Sequence, residues 1–223
     1  SDRLAVKGNL LAERRDNGTA LQHNSSSLGT LGVTYSRENL SVTAYHSRAE
    51  FRSSFSTVLA GRNTERPTFN QRVPSQDSGA AAVWARRTRA VNLTVGADLH
   101  RPSGESIDTL FPTGRRVGGG HLWQQGTFVQ TDVAVGRRTR VQGGLRHDFT
   151  GQGKTFLSPS FGLVVADGAR RWRASAYRSF RAPTLNELFR AFSVGNTLTL
   201  ANAELRPERL VGGEAGMDWQ ART

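Results

Sequence analysis

The 223-residue sequence contains no cysteine and almost no lysine. Without cysteine, neither a disulfide framework nor a thiolate metal site can form, and redox chemistry leaves no sign of the compartment. Lysine occurs only at Lys7 and Lys154, so arginine provides nearly all of the positive charge.

Long hydrophobic runs are also missing. No apolar stretch reaches the ~18 residues expected of a membrane-spanning helix, and the first four residues do not read as the start of a signal peptide. A transmembrane β-strand is not excluded. Only alternate residues of such a strand face lipid, so its mean hydropathy resembles that of a water-soluble protein.

The charge is strongly one-sided. The sequence has 30 lysines and arginines against 18 aspartates and glutamates, a formal net charge of +12. This balance indicates contact with a polyanion, either nucleic acid or an anionic membrane surface. It is equally consistent with a fragment whose charge is balanced by parts of the protein outside this sequence, and the charge alone does not separate these alternatives.

A repeated alternation of apolar and polar residues is the most informative feature. Between positions 91 and 100 the odd residues are Val, Leu, Val, Ala and Leu, whereas the even residues are Asn, Thr, Gly, Asp and His. A period of two predicts β-strand. Segments of about ten residues have the length that a tilted strand needs to cross a bilayer. We predict ten strands, near residues 3–14, 27–37, 39–52, 78–87, 89–101, 122–136, 138–149, 155–166, 170–181 and 209–220. The third strand does not keep its phase, since Leu40 and Val42 share one face while Tyr45 and Phe51 share the other.

The predicted connections alternate in length. Tight turns lie at 37–39, 86–89, 136–138 and 167–170, whereas the other connections are polar and mostly long, at 15–26, 53–77, 102–121, 150–154 and 182–208. Short turns at one rim and long loops at the other are typical of an outer-membrane barrel, whose short turns face the periplasm. The sequence therefore predicts an all-β fold, an antiparallel up-and-down transmembrane β-barrel segment of about ten strands that forms a partial barrel.

Large aromatic residues give an independent indication of a membrane barrel. Tyr35, Trp84, Trp172 and Trp219 all fall on the apolar face of their strands, at the end with the short turns. An aromatic girdle is expected at that interface. Phe149 and Phe180 fall on the same outward face at the opposite end.

Several sequence elements resemble the barrel of TonB-dependent receptors. A strand ends in Phe-Arg-Ala-Pro-Thr followed by Asn-Glu-Leu, and a long loop then leads to Asn-x-x-Leu-x-Pro-Glu and a strand with Glu-x-Gly. The matching positions are Phe180, Arg181, Ala182, Pro183, Thr184, Asn186, Glu187, Leu188, Asn202, Leu205, Pro207, Glu208, Glu214 and Gly216. Segments 127–132, 143–148 and 157–162 are similar to further strands of the same barrel. The resemblance covers residues 120–220 well and the first hundred residues only by general pattern.

The resemblance implies an outer-membrane receptor that imports a scarce nutrient of the siderophore or cobalamin class. Its implied partners are outer-membrane lipid, a plug domain, TonB and the small nutrient ligand, and nucleic acid is not among them. Receptors of this family carry a signal peptide, a TonB box, a plug and about 22 strands, and their last strand ends on an aromatic residue. Residues 1–223 therefore read as a partial barrel domain without the plug and the closing strands.

Three groups of residues are candidates for function. The family-motif positions are interpreted mainly as structural, with Pro183 as a strand breaker and with Asn186 and Glu187 stabilising the turn. The charged or polar lumen-facing candidates are Asp98, Asp132, Arg146, Asp148, Arg173, Tyr177, Arg181, Glu214 and Asp218. The outer-loop candidates for ligand contact are Phe111, Trp123, Phe189 and Phe192, because loops carry function more often than scaffolds do.

Catalytic, cofactor and metal sites are not predicted. Gly153-Lys154-Thr155 resembles the end of a phosphate-binding loop but lacks the earlier glycine, since Asp148 stands there, and no helix pattern follows it. The glycine run 118–120 precedes a strand, not a helix, and the five histidines show no metal-ligand spacing.

Two alternative functions remain open at this point. A passive porin-like barrel fits the strands but does not explain the elements between Phe180 and Glu208. A soluble basic β-domain that binds nucleic acid would interleave aromatic and basic residues on one sheet face. Here the tryptophans lie on the apolar face and the arginines crowd the turns, which disfavours the nucleic-acid alternative.

Overall fold

A computed structural model describes residues 2–194 and 197–220 of the chain, with side chains throughout except at 192–198. The chain is almost entirely β-strand. The strands, numbered in chain order, are β1 (Asp2–Thr19), β2 (Gln22–Arg37), β3 (Leu40–Val58), β4 (Glu65–Arg87), β5 (Val91–Leu110), β6 (Arg115–His121), β7 (Gln124–Val135), β8 (Thr139–Phe149), β9 (Thr155–Asp167), β10 (Arg170–Arg181), β11 (Phe192–Val194), β12 (Thr197–Thr199) and β13 (Glu208–Trp219). One helix, α1 (Leu185–Phe189), follows β10. Across these described ranges, no helix is long and apolar enough to cross a membrane.

Ten long strands form one continuous sheet in the order β1-β2-β3-β4-β5-β7-β8-β9-β10-β13, and β6 pairs with the far end of β5. Every neighbouring pair is antiparallel. The sheet is a partial barrel that does not close, with β1 and β13 at its edges among the described residues. The predicted fold class is therefore confirmed, and each of the ten predicted strands corresponds to one of these ten strands.

The registers place the apolar side chains on one face, which we call the outer face. Val95 lies between Trp84 and Val129, and Val129 in turn pairs with Leu145. The opposite face, the inner face, carries the alternate residues, which are mostly polar or small. Trp84 and Trp172 lie on the outer face at the short-turn end, as predicted, and they are 38% and 49% exposed.

The short turns rely on backbone conformations that favour glycine. Gly136 after β7 and Gly168 after β9 have φ values of +70° and +58°. A side chain with a Cβ rarely adopts this left-handed region, whereas glycine enters it without steric cost. These two glycines therefore allow the chain to reverse direction within a few residues, which keeps the short-turn rim compact.

The strands are longer than predicted at the opposite end. Three predicted loops, 15–26, 53–77 and 102–121, are for the most part paired strand, and their turns shrink to 20–21, 59–64 and 111–114. The prediction was wrong because it relied on hydrophobic alternation, which stops where a strand leaves the apolar band. Backbone pairing does not stop there, and polar side chains on both faces leave no periodic signal.

The interrupted phase in β3 is not a backbone irregularity. Residues Leu40 to Ser53 pair with β2 without a register shift. Tyr45 lies on the inner face and its hydroxyl donates a hydrogen bond to Asp77 at 2.9 Å. A large aromatic side chain on that face is tolerated because it has a polar partner for its hydroxyl group.

Polar contacts fasten the extended hairpins to one another. Glu65, at the start of β4, accepts hydrogen bonds from the hydroxyl group of Thr19 at 2.5 Å and from the backbone N–H of Leu21 at 3.0 Å. These contacts join the tip of the β1–β2 hairpin to the β3–β4 hairpin. Phe55 stacks on Phe69 across the second hairpin, with ring centroids 4.2 Å apart.

The assignment of the two faces predicts unequal effects of the same substitution at neighbouring positions. Val129 lies near the middle of the apolar band on β7, and the next residue, Gln130, is on the inner face. We expect Val129→Arg in the full-length protein to lower the free energy of unfolding in lipid vesicles by about 2–4 kcal/mol, the cost of a lipid-facing arginine near the midplane. The matched Gln130→Arg variant should change it by less than about 0.5 kcal/mol. Equal effects in urea unfolding would contradict the assignment.

Candidate functional site

The inner face carries ion pairs that cross strands. The guanidinium group of Arg146 on β8 donates two hydrogen bonds to Asp98 on β5, at 2.7 and 2.9 Å, and another to Asp148 at 2.8 Å. Strand β7 lies between β5 and β8, and Gly126 is its residue in this row. A Cβ on Gly126 would lie 2.0 Å from Nη2 of Arg146, so only glycine lets the guanidinium group cross over β7.

The other lumen-facing candidates form smaller groups on the same face. Asp132 accepts hydrogen bonds from Arg140 and, at 3.0 Å, from the side chain of Gln142. Arg173 on β10 donates to Asp218 on β13 at 2.9 Å. The ring of Tyr177 lies over Gly212, where an added Cβ would be 2.6 Å from the ring. Glu214 lies farther down β13, on the same face, opposite Ser175.

A second cluster closes the segment between β10 and β13. Arg181, the last residue of β10, donates hydrogen bonds to Glu208 at 2.8 Å and to Glu187 at 3.1 Å. Glu208 is the first residue of β13 and Glu187 belongs to α1. One guanidinium group thus joins both ends of the segment to the helix within it.

The helix begins with a capping box at its N-terminus. The side chain of Thr184 accepts a hydrogen bond from the backbone N–H of Glu187 at 3.3 Å, and Oε2 of Glu187 accepts one from the backbone N–H of Thr184 at 2.7 Å. This reciprocal pair satisfies two amides that the helix leaves unpaired. The hydrogen bond from Thr184, followed by the charge-assisted bond from Arg181, lowers the pKa of Glu187 to about 2.

Helix α1 packs on the inner face of the β5–β6 hairpin. Leu188 is only 1% exposed. A Cβ on Gly118 would be 2.6 Å from the carbonyl oxygen of Phe189, and a Cβ on Gly120 would be 2.8 Å from the ring of Phe189. Gly118 and Gly120 of the glycine run therefore provide the flat surface on which the helix lies, a role that the sequence prediction did not assign to them.

A buried carboxylate holds the hairpin beneath this helix. Asp108 is 1% exposed and accepts hydrogen bonds from Arg116 at 2.7 Å and from the side chain of Gln71 at 2.9 Å. A buried charge is tolerated when it is paired and hydrogen-bonded in this way. Asp108 and Arg116 were not predicted as site residues, because the segment was interpreted as loop.

The motif residues form contacts within the segment between β10 and β13. Asn202 donates its backbone N–H to the carbonyl oxygen of Glu187 at 3.2 Å, and its side chain accepts the N–H of Glu204 at 3.0 Å. Pro183 is buried and lines the groove beside α1, and the ring of Phe180 stacks on that of Phe156 with centroids 4.4 Å apart. Glu187 was interpreted as stabilising a turn, and the segment that contains it is a helix of five residues. Such a helix is too short to leave a periodic signal.

The four loop aromatics do not converge on one point. Phe111 is 42% exposed in the turn after β5, and Trp123 is 53% exposed between β6 and β7, with Arg101 lying 5.7 Å from its ring centroid. Phe189 covers the glycine run. Phe192 begins β11, and its side chain lies outside the described side chains.

A groove of about 550 Å³ separates α1 from the strands beside it. Its lining is mostly polar or small and includes Ser75, Ser106, Gln124 and Asn186. We call this space the α1 groove. Among the described residues, no cluster of three or more metal-ligating side chains could hold a metal ion. The α1 groove offers hydrogen-bonding groups for a solute that enters from the long-hairpin end.

Solved structures with a similar fold are known. The chain superposes on the copper transporter OprC with a TM-score of 0.74 at 13% identity, covering 99% of this chain and 40% of that one. A mutant of the ferric enterobactin receptor PfeA from Pseudomonas aeruginosa superposes with a TM-score of 0.64 at 16% identity, covering 90% of this chain and 33% of that one. The siderophore receptor PirA from Acinetobacter baumannii superposes with a TM-score of 0.63 at 14% identity, covering 98% of this chain and 41% of that one. The chain thus spans about two fifths or less of the length of these structures.

The sequence comparisons agree with the fold. No curated protein sequence matches the chain. A family model described as "TonB dependent receptor-like, beta-barrel" matches residues 3–223. This match extends well beyond the region 120–220 in which the motifs lie, so the chain belongs to the β-barrel family of TonB-dependent receptors.

Proposed function

We propose that the chain is the partial barrel domain of a bacterial outer-membrane receptor that takes up a scarce small nutrient with energy delivered through TonB. The nutrient is of the siderophore or cobalamin class. Membership of the receptor family and the α1 groove support this proposal over a passive barrel.

The α1 groove is the observation that carries the proposal. Helix α1 lies on the inner face, where an entering solute must pass. Arg181 at the end of β10 binds Glu187 of the helix and Glu208 at the start of β13, and so fixes the helix between the two strands. The groove beside it has the size of a small-molecule site. We assign first contact with the nutrient to this groove and to the exposed aromatics Phe111 and Trp123.

The inner-face ion pairs have a different role in this proposal. Arg146 and Asp98 are each about one third exposed on the inner face, at 37% and 32%. A wide barrel presents such a hydrated, charged interior to its plug. We assign the groups around Arg146, Asp132 and Arg173 to contact with a plug domain, and not to the nutrient.

Dependence on TonB tests the transport proposal directly. We expect cells that express the full-length protein to accumulate radiolabelled ferric siderophore or cobalamin only when TonB is functional. The measurement compares uptake in otherwise identical strains with and without TonB. Equal uptake in both strains would indicate a passive barrel and would contradict active import.

A single added methyl group tests whether α1 belongs to the nutrient site. In Gly118→Ala, the new Cβ lies too close to the Phe189 carbonyl group and displaces α1. Overpacking costs about 1–3 kcal/mol, so we expect hydrogen exchange in residues 185–189 to increase and nutrient affinity to fall roughly tenfold. The control is Gly143→Ala, where the nearest atom is Thr131 Cγ2 at 3.8 Å. If the helix is displaced but nutrient affinity is unchanged, α1 is not part of the nutrient site.

The pKa of Glu187 predicts how the helix responds to acid. Its folded-state pKa, about 2, lies below the ordinary value of 4.5, so its contribution to stability is present above pH 4.5 and is lost as the pH falls towards 2. We expect protection factors in residues 185–189, corrected for the intrinsic exchange rate, to decline across this window. In Glu187→Gln, which keeps a capping-box side chain, they should be lower at neutral pH and should not change between pH 5 and 2.5. A decline of equal size in this variant would show that Glu187 is not the group responsible.

A further inference from the structure

The outer face carries a row of arginines above its apolar band. Arg14 on β1, Arg52 on β3 and Arg72 on β4 lie in one cross-strand row, with Ser25 of β2 between the first two. The register runs without a shift from the pair Leu40 and Trp84 to the pair Arg52 and Arg72. These arginines therefore share the face of the apolar residues, not the face of the lumen.

The row lies in a groove of about 850 Å³ formed by the extended parts of β1 to β6. Arg115, His23 and Asn70 also line it. The side chains of Arg52 and Arg72 are 63% and 51% exposed, so both are open to a ligand. We call this space the arginine groove.

The height of the arginine groove corresponds to lipid head groups. Arg52 follows Leu40, which begins β3 at the short-turn end, by twelve residues. A strand rises about 3.4 Å per residue and tilts by about 40°, so Arg52 lies roughly 30 Å above Leu40. The apolar band of such a barrel is about 25 Å tall. The arginine groove therefore faces the head-group region of the outer leaflet.

Positive charge exceeds negative charge in the arginine groove, because five arginines line it against one carboxylate, that of Asp16. Glu50 lies between Arg52 and Arg72, at 2.5 and 2.8 Å, and one carboxylate cannot neutralise two guanidinium groups. Arg14 and Arg115 form no ion pair with any carboxylate in the described part of the chain. A guanidinium group presents several N–H donors in a planar fork, which matches the oxygens of a phosphate group.

We propose that the arginine groove binds the phosphate groups of lipid head groups in the outer leaflet. Its outward orientation, height and charge all fit this ligand. The inference rests on the outer-membrane location in the proposed function, but it requires neither TonB nor a nutrient. Binding of this kind would hold a layer of anionic lipid against the extended hairpins and so stiffen the outer rim.

The test measures lipid binding to the full-length protein in detergent, with diphosphoryl lipid A as the probe. We expect the double variant Arg52→Gln, Arg72→Gln to bind at least about tenfold more weakly, because two charge-assisted contacts are lost. Arg86→Gln, Arg137→Gln, which removes two arginines at the short-turn end, is the matched control and should bind as the unchanged protein does. Glu50→Gln should bind more tightly, since it removes the competing carboxylate.

Competition experiments distinguish binding of the lipid from binding of other anions. Inorganic phosphate at the same concentration should not displace the lipid, because it lacks the acyl chains that seat against the apolar band. Unchanged lipid affinity in the Arg52, Arg72 variant would overturn the proposal, and so would equal competition by inorganic phosphate or by a DNA oligonucleotide. Nutrient uptake is measured in parallel. Weaker lipid binding with normal uptake supports the arginine groove independently, whereas a failure of TonB-dependent uptake in every variant counts against the proposed function alone.

Discussion

Hydrogen bonding of the backbone is the constraint on which the rest of this structure depends. No water is present in the hydrocarbon core of a bilayer, so each N–H and C=O group there must find a partner within the protein. The continuous antiparallel ladder from β1 to β13 provides these partners. Because the ladder alone satisfies the backbone hydrogen bonds, the side chains on the two faces can differ completely in polarity. Apolar residues cover the outer face, and ion pairs such as that of Arg146 with Asp98 occupy the inner face.

The preference for arginine over lysine follows from how far charges must reach across the sheet. Arg146 binds carboxylates on β5 and β8 from above Gly126, and Arg181 binds Glu187 and Glu208, which belong to different elements. A planar guanidinium group with five donors can hold two carboxylates in fixed geometry, whereas an ammonium group is a flexible point charge. Cross-strand networks of this kind make the inner face rigid as well as hydrated. That combination suits the contact with a plug domain that we propose for this face.

The sequence predicted the membrane-embedded part of the fold well and the external part poorly, for one physical reason. Alternation exists only where one face meets lipid, so strands such as β8 and β10 were located to within a residue. The extensions beyond residue 52 of β3 and residue 101 of β5 have polar side chains on both faces and were interpreted as loops. Helix α1 was missed because five residues cannot show a period of 3.6. The roles of Gly126, Gly118 and Asp108 depend on neighbours from other strands, which a single sequence does not specify.

The distribution of charge connects the two faces. On the inner face Asp98, Asp132, Asp148 and Asp218 are each bonded to an arginine. These four carboxylates share three arginines, so this group of residues contributes no positive surplus, and the formal net charge of +12 arises elsewhere in the chain. It lies at the short turns, where residues such as Arg86, Arg87 and Arg137 cluster, and at the outer end, where Arg14, Arg52 and Arg72 face outwards. The positive charge at the outer end of the apolar band is the part that the proposed binding of lipid phosphate requires. The composition that first indicated a polyanion therefore agrees with the ligand that we propose for the arginine groove.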